Sequence, residues 1–341
     1  MMRSRLLALP LLLGLSACAA GQNYVAPKIE AAEQFRNATA ADTPAVANAE
    51  WWKGFNDPAL NALEVRAQAQ NLDIQVAAAR VLQARAAAGA AGATLLPAVE
   101  LDPKAAQARQ SKRGANGPLV TYFPGYPRSG SLYDLNAGAS WELDLFGGLR
   151  RQSEAAHAEQ QAAQAGLVGA RLMVTCDLAD AYIQYRGFEA RLALAQHARD
   201  IDAKLLELVE LRYQSGQAAR RERDSAEAAL DQASALIPQL KLALEGQRNR
   251  IAVLTGVSPE AEQDLLKSKL DIPAPLSPTA ARPADLLRGR PDLVAAERQL
   301  AAADARIGAA ISDYYPKVTL QGLTGFESTR TANLITGAAQ Q

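Results

Sequence analysis

Two cysteines and two histidines supply every thiol and imidazole in the 341 residues. Metal binding or nucleophilic catalysis needs such groups in clusters, with a second ligand or a base within reach. His157 and His197 lie in polar helical sequence with no cysteine or histidine at ligand spacing. No metal centre, catalytic residue or cofactor is therefore expected, and the chain does not read as an enzyme. Cys176 falls inside a helical pattern and reads as a small buried apolar residue. Cys18 stands apart, because it closes an apolar run near the N-terminus.

Arg3 and Arg5 precede that run, Leu6 to Leu15, which is too short to span a bilayer as a helix. A charged region followed by a short apolar core is the pattern of a secretory signal over residues 1–17. The run ends Leu15-Ser16-Ala17-Cys18, which resembles the lipobox of bacterial lipoproteins. In a lipobox the cysteine thiol is diacylated and becomes the new N-terminus after cleavage, so Cys18 is the expected lipidation site. Once acylated it cannot pair with Cys176, which excludes an intramolecular disulfide. By the sorting rule of such lipoproteins, Ala19 rather than aspartate after the cysteine points to the outer membrane. Acyl chains contribute about 0.8 kcal/mol per buried methylene, enough together for stable anchoring.

Hydrophobic residues make up 49% of the chain but aromatics only 5%, so the apolar content is carried by small and branched side chains, alanine above all. That favours long helices approaching one another closely over a compact core built on rings. Basic and acidic residues both number 36, leaving no electrostatic footprint for nucleic acid.

Helical and strand-like periods alternate along the chain. A tether over 18–50 shows no sustained period. Asp57-Pro58 is an N-cap followed by proline at the first helical position, predicting a helix over 57–94 that Pro97 stops. A β-hairpin is expected over 97–145. In its second arm Tyr133, Leu135, Ala137, Ala139, Trp141, Leu143 and Leu145 alternate with Asp134, Asn136, Gly138, Ser140, Glu142 and Asp144. Such a two-faced strand fits a transmembrane β-barrel and a half-buried strand of a soluble sheet equally well. The first arm, from Ala98 to about Arg109, alternates weakly, and the Gly- and Pro-rich stretch Lys112 to Ser131 reads as an exposed loop.

Two long helices follow, over 149–215 and 217–256. Val174, Leu178, Ala181, Tyr185, Phe188, Leu192 and Ala195 step by four and three, and so do Leu230, Ala233, Ile237, Leu240, Leu244, Gln247, Ile251 and Leu254. The break at Gly216 makes the helices antiparallel. At about 1.5 Å per residue the first extends on the order of 100 Å, too long to bury its own apolar stripe, so oligomerisation is expected. Pro238 should bend the second.

Residues 51–257 thus form a first repeat, 258–284 a Pro-rich connector and 285–341 the start of a second repeat, with a helix over 285–313 and a strand over 316–326. An offset of 219 residues aligns Pro97 with Pro316, Asp73 with Asp292, Gly89-Ala90-Ala91 with Gly308-Ala309-Ala310, and Val99 and Leu101 with Val318 and Leu320.

The segments Trp51 to Leu60, Ser140 to Arg150, Arg212 to Gly216 and Arg290 through Pro316 resemble the outer membrane efflux protein family typified by TolC, in its lipoprotein branch serving resistance-nodulation-division pumps. The resemblance implies a mainly α fold with β: a periplasmic α-barrel of long antiparallel coiled-coil hairpins and a shared transmembrane β-barrel, closed in a homotrimer. Its partners are implied to be a periplasmic adaptor protein, an inner-membrane pump and outer-membrane lipid. Arg212, Tyr213, Ser215, Gly216 and Gln217 fall at the tip that meets the adaptor, although an ordinary helix turn would also place a glycine there. Tyr133 and Trp141 are implied membrane-interface aromatics, with Trp141 alternatively packing where strand becomes helix. Family members continue beyond the position of Gln341, so the second repeat is expected to be truncated. Two other readings stay open: the duct of a type I protein-secretion system and a structural envelope lipoprotein or non-functional fragment.

Overall fold

A computed structural model of the chain describes residues 20–28, 50–109, 111–115, 117–123, 125, 128–258, 266, 273 and 283–340. The signal segment, Cys18 and most of the tether and connector lie outside the described residues. In chain order the elements are a 3-10 turn Trp51–Phe55, α1 (Pro58–Gln70), α2 (Leu72–Ala93), β1 (Ala98–Arg109), α3 (Gly117–Tyr122), β2 (Ser129–Leu143), α4 (Gly148–Gln214), α5 (Arg220–Thr255), α6 (Pro283–Arg288), α7 (Pro291–Ser312), β3 (Val318–Ser328) and a 3-10 turn Thr331–Asn333.

Three local differences from the sequence reading have identifiable causes. The helix expected over 57–94 is two, because Asn71 takes an extended conformation and its side-chain oxygen accepts from the backbone N–H groups of Asp73 and Ile74 at 2.9 and 3.1 Å. Asparagine competes well for this capping position, and its Nδ2 also donates to Leu254 O at 2.8 Å. The helix expected over 285–313 also divides, since Pro291 opens α7 and disfavours helical geometry at Arg290 before it. Finally, the stretch read as loop contains the short helix α3. Pro238, by contrast, lies within an unbroken α5.

The chain separates into two compact units. One draws on Pro27–Gln83 and Gln161–Glu297. Its core packs Leu60 and Leu63 of α1, both fully buried, against Val174, Leu178 and Tyr182 of α4 and Ile251 of α5. The α4 heptad positions Val174, Leu178, Ala181, Tyr185 and Ala195 are buried, and the α5 stripe is half-buried or buried. Burying each leucine contributes roughly 1.5–3 kcal/mol. Across the antiparallel pair Arg250 bridges Asp177 at 2.8 Å and Asp180 at 3.0 Å, while Gln247 donates to Gln184 at 3.1 Å. Gly256 ends α5 at φ +71°, and a Cβ there would stand 2.6 Å from Gln70 O. Only glycine allows α1 to approach that closely.

The other unit draws on Met1–Ala26, Ala84–Gln160 and Arg298–Gln341 and holds an antiparallel sheet ordered β1-β2-β3. Pairing sets Leu101 opposite Ala137, Trp141 opposite Leu320 and Leu135 opposite Phe326. Residues directly opposite one another share a face. One face therefore carries Val99, Leu101, Leu135, Ala137, Ala139, Trp141, Val318, Leu320 and Phe326. The reverse face carries Glu100, Asp102, Lys104, Asp134, Asn136, Ser140, Glu142, Thr319, Gln321 and Glu327, with Leu132 and Leu323 as its large apolar exceptions. The weak alternation of β1 becomes legible only once its partner residues are known.

The 22-residue helices α2 and α7 begin and end 219 positions apart, and each leads into a strand, β1 or β3. The first-repeat strand β2 pairs with the second-repeat strand β3.

Candidate functional site

Two surfaces stand out, the two-faced sheet and the turn between α4 and α5. At the foot of the sheet, β2 passes into α4 through Asp144, whose carboxylate accepts from the backbone N–H groups of Leu149 at 3.1 Å and Arg150 at 2.9 Å. This closes the first turn of α4, where a negative charge is also favoured by the helix dipole. Gly147 at φ +79° makes the bend. Phe146 stacks on Tyr315 with ring centroids 4.5 Å apart. The start of α4 approaches the end of α7 so closely that a Cβ on Gly148 would collide with Ser312 Oγ.

Trp141 is 38% exposed on the apolar face and donates its indole N–H to Leu95 O at 3.0 Å. Tyr133 lies on the same face, half-buried, toward the other end of β2. At ~3.4 Å per residue the two aromatics are about 27 Å apart along the strand. Val99 and Leu101 between these levels and Leu320 opposite Trp141 are 73%, 66% and 52% exposed, so the greasy face is uncovered by the described residues.

The α4–α5 turn gathers Arg212, Tyr213, Ser215, Gly216 and Gln217 in one motif. Gly216 sits at φ +72°, its N–H donating to Tyr213 O at 3.0 Å, while Gln217 N–H donates to Arg212 O at 2.7 Å. These paired bonds define a Schellman end, which satisfies carbonyls that the helix leaves free. Ser215 Oγ adds a 3.0 Å bond to Arg212 O. Tyr213 turns onto α5, with the Arg223 guanidinium 5.3 Å from its ring centre. Arg223 and the neighbouring Arg220 and Arg221 were not singled out in the sequence. The run Arg220-Arg221-Glu222-Arg223-Asp224 was the available signal. Arg220 and Arg223 share Asp224, at 3.6 and 2.9 Å. Leu205, Val209, Ala226 and Ala229 line an apolar groove beside the turn with a volume of about 610 Å³.

The groups that could do chemistry are not assembled into a centre. His157 and His197 are exposed on α4. Cys176, read as buried, is exposed on the single chain, because the stripe turns Val174, Thr175 and Leu178 inward and leaves position 176 on the outer side. Among the described residues no group of three or more His, Cys, Asp or Glu side chains is disposed to hold a metal ion, and no helix is long and apolar enough to cross a membrane.

Two buried polar features escaped the sequence reading. Tyr182 donates to Asp57 at 2.7 Å and accepts from Arg186 Nε at 3.1 Å, and Arg186 reaches Glu189 at 2.7 Å and Leu266 O at 3.2 Å. Glu64 of α1 is fully buried, and neither carboxylate oxygen meets a donor at good geometry. Burial pushes its pKa up to about 8, the Thr175 hydroxyl offsetting part of the effect. Only their positions within a helical face hinted at either.

A family profile described as outer membrane efflux protein matches residues 63–257. Nodulation protein T of Rhizobium leguminosarum bv. viciae is 31% identical over 93% of this chain and 64% of its own length. The pyoverdine export outer membrane protein OpmQ of Pseudomonas putida is 31% identical over 84% of this chain and 60% of its own. The chain thus spans a little under two thirds of these relatives. The solved structure of the outer-membrane channel OprN superposes with a TM-score of 0.79 at 34% identity, covering 95% of this chain and 71% of that one.

Proposed function

Because the chain belongs to the outer membrane efflux protein family, we propose that it contributes staves to the outer-membrane duct of a tripartite efflux system, a passive exit for solutes expelled by an inner-membrane pump. The observation that carries this reading is the three-stranded sheet with one greasy face, one wet face and, among the described residues, no partner along the outer edge of β1. In hydrocarbon an unpaired edge costs several kcal/mol per backbone group, so such a sheet must close with further strands. A homotrimer meets that need, with the apolar face toward lipid and the polar face lining water. Tyr133 and Trp141, about 27 Å apart along a strand tilted by ~40°, bracket a band about 20 Å tall, close to the apolar belt of such barrels with its aromatic borders.

The α4–α5 pair forms part of a periplasmic tube. Its turn, Arg212 to Gln217, is the docking point for a periplasmic adaptor. Cys18 carries the acyl anchor, lying outside the described residues. The names of the relatives, an exporter of pyoverdine among them, favour small solutes as cargo.

The test is complementation with the full-length gene product. A deletion strain should become sensitive to solutes of the cognate pump, and chemical cross-linking should trap a trimer together with adaptor and pump. Unchanged sensitivity in a strain lacking other such ducts, with the protein recovered as a monomer, would remove the proposal.

A further inference from the structure

Residues Ala20–Tyr24 lie against the foot of the sheet in a slot of unusually specific shape. Ala20 N–H donates to Phe146 O at 2.8 Å. Arg151, only 5% exposed, donates from Nε to Ala20 O at 3.3 Å and from Nη2 to Asn23 Oδ1 at 2.8 Å, while Nη1 holds Glu154 at 2.7 Å. A guanidinium is costly to bury unless its donors are met, and two of these three partners belong to the N-terminal segment.

Shape points the same way. Gly21 sits at φ +86°, and a Cβ there would come within 2.8 Å of Gly308 Cα. A Cβ on Gly308 would in turn meet Ala20 O at 3.0 Å and Arg151 Nε at 3.1 Å. The absence of a side chain at both positions is what lets the two backbones touch. Beyond this contact Tyr24 packs on the alanine surface formed by Ala155 and Ala158 of α4 with Ala301, Ala302 and Ala305 of α7.

We propose that residues 20–24 are an intramolecular strap, received by a slot built from Arg151 and Gly308, that ties the start of α4 to the end of α7 and holds the chain leaving Cys18 at the foot of the sheet. The slot recognises an extended peptide by its backbone carbonyl, a glycine in the left-handed region and an amide side chain two residues later. The strap depends on protein contacts and not on the anchor; the lipidation of Cys18 bears only on what it tethers.

Amide hydrogen exchange of the peptide spanning 19–26, in the full-length protein extracted from outer membranes, tests this. The wild type should be protected there, and Gly21→Val should exchange at least ~10-fold faster with helix and strand signals unchanged, since it acts from the strap side. Gly308→Val and Arg151→Gln should behave alike from the slot side. A version with Cys18 replaced and its leader exchanged for one cut without acylation should stay protected, while the mass of the wild-type N-terminal peptide reports acylation separately. An unprotected wild-type segment overturns the strap. So does protection that survives Gly21→Val but disappears in the unacylated version.

Discussion

Tyr182 of α4 and Asp57, the residue that opens α1, are joined by a 2.7 Å hydrogen bond between phenol and carboxylate. The other carboxylate oxygen accepts from the N–H groups of Ala59 and Leu60 at 2.8 and 3.0 Å. One buried aspartate therefore both starts a helix and locks it to its neighbour, and Arg186 extends the lock to Leu266 O.

Tyr182→Phe should lower stability by about 1–3 kcal/mol, because Asp57 stays buried with a donor missing and Arg186 Nε loses its acceptor. Asp57→Ala should cost at least as much, adding the lost cap, typically ~1 kcal/mol. Thermal unfolding of the detergent-extracted protein measures both, and Tyr182→Phe melting with the wild type would show the lock to be idle.

Glu64 predicts a pH dependence of definite sign. Its pKa rises from 4.5 to about 8 on folding, so the folded state holds the proton more tightly than the unfolded one. The associated stability is complete below about pH 4.5 and is lost as pH climbs toward 8, above which the penalty is constant. The loss is on the order of 3–5 kcal/mol as an upper bound. Glu64→Gln should flatten that limb and be the more stable protein at pH 8. Parallel stability curves for the two between pH 5 and 8 would refute the assignment.

The sheet predicts a contrast between neighbouring positions. Leu101→Lys puts a charge on the greasy face, costing about 2–4 kcal/mol near the bilayer midplane, and should cut the yield of outer-membrane protein. Glu100→Lys, one residue away on the wet face, should leave the yield intact. Immunoblots of membrane fractions decide; equal yields would show that the face does not meet lipid.

At the α4–α5 turn, Gly216→Val forces a branched side chain into the left-handed region at a cost of roughly 1–2 kcal/mol, small beside the burial along the helices. Assembly should survive while cross-linking to adaptor and solute resistance fall. Resistance at the wild-type level with the turn so altered would argue that docking lies elsewhere.

Much of the architecture was written locally in the chain. The four-three spacing from Val174 to Ala195 is a one-dimensional record of a buried stripe, because a helix brings such residues to one side whatever they later meet. The alternation through Tyr133–Leu145 does the same for β2, and Gly216 announces a helix end by its own conformational freedom. Asn71 and Pro291 were equally local signals, and reading them as breaks would have divided the two helices correctly.

Other features had no local trace. Whether β1 is two-faced depended on which residues lie across from it, and the pairing of β2 with β3 joins segments nearly two hundred positions apart. The exposure of Cys176, the burial of Glu64 and the slot that takes Gly21 against Gly308 were likewise decided by tertiary contact. Period and turn chemistry are properties of neighbours along the backbone, which a sequence states directly. Burial, register and the pairing of buried polar groups are properties of neighbours in space, set only when distant segments meet.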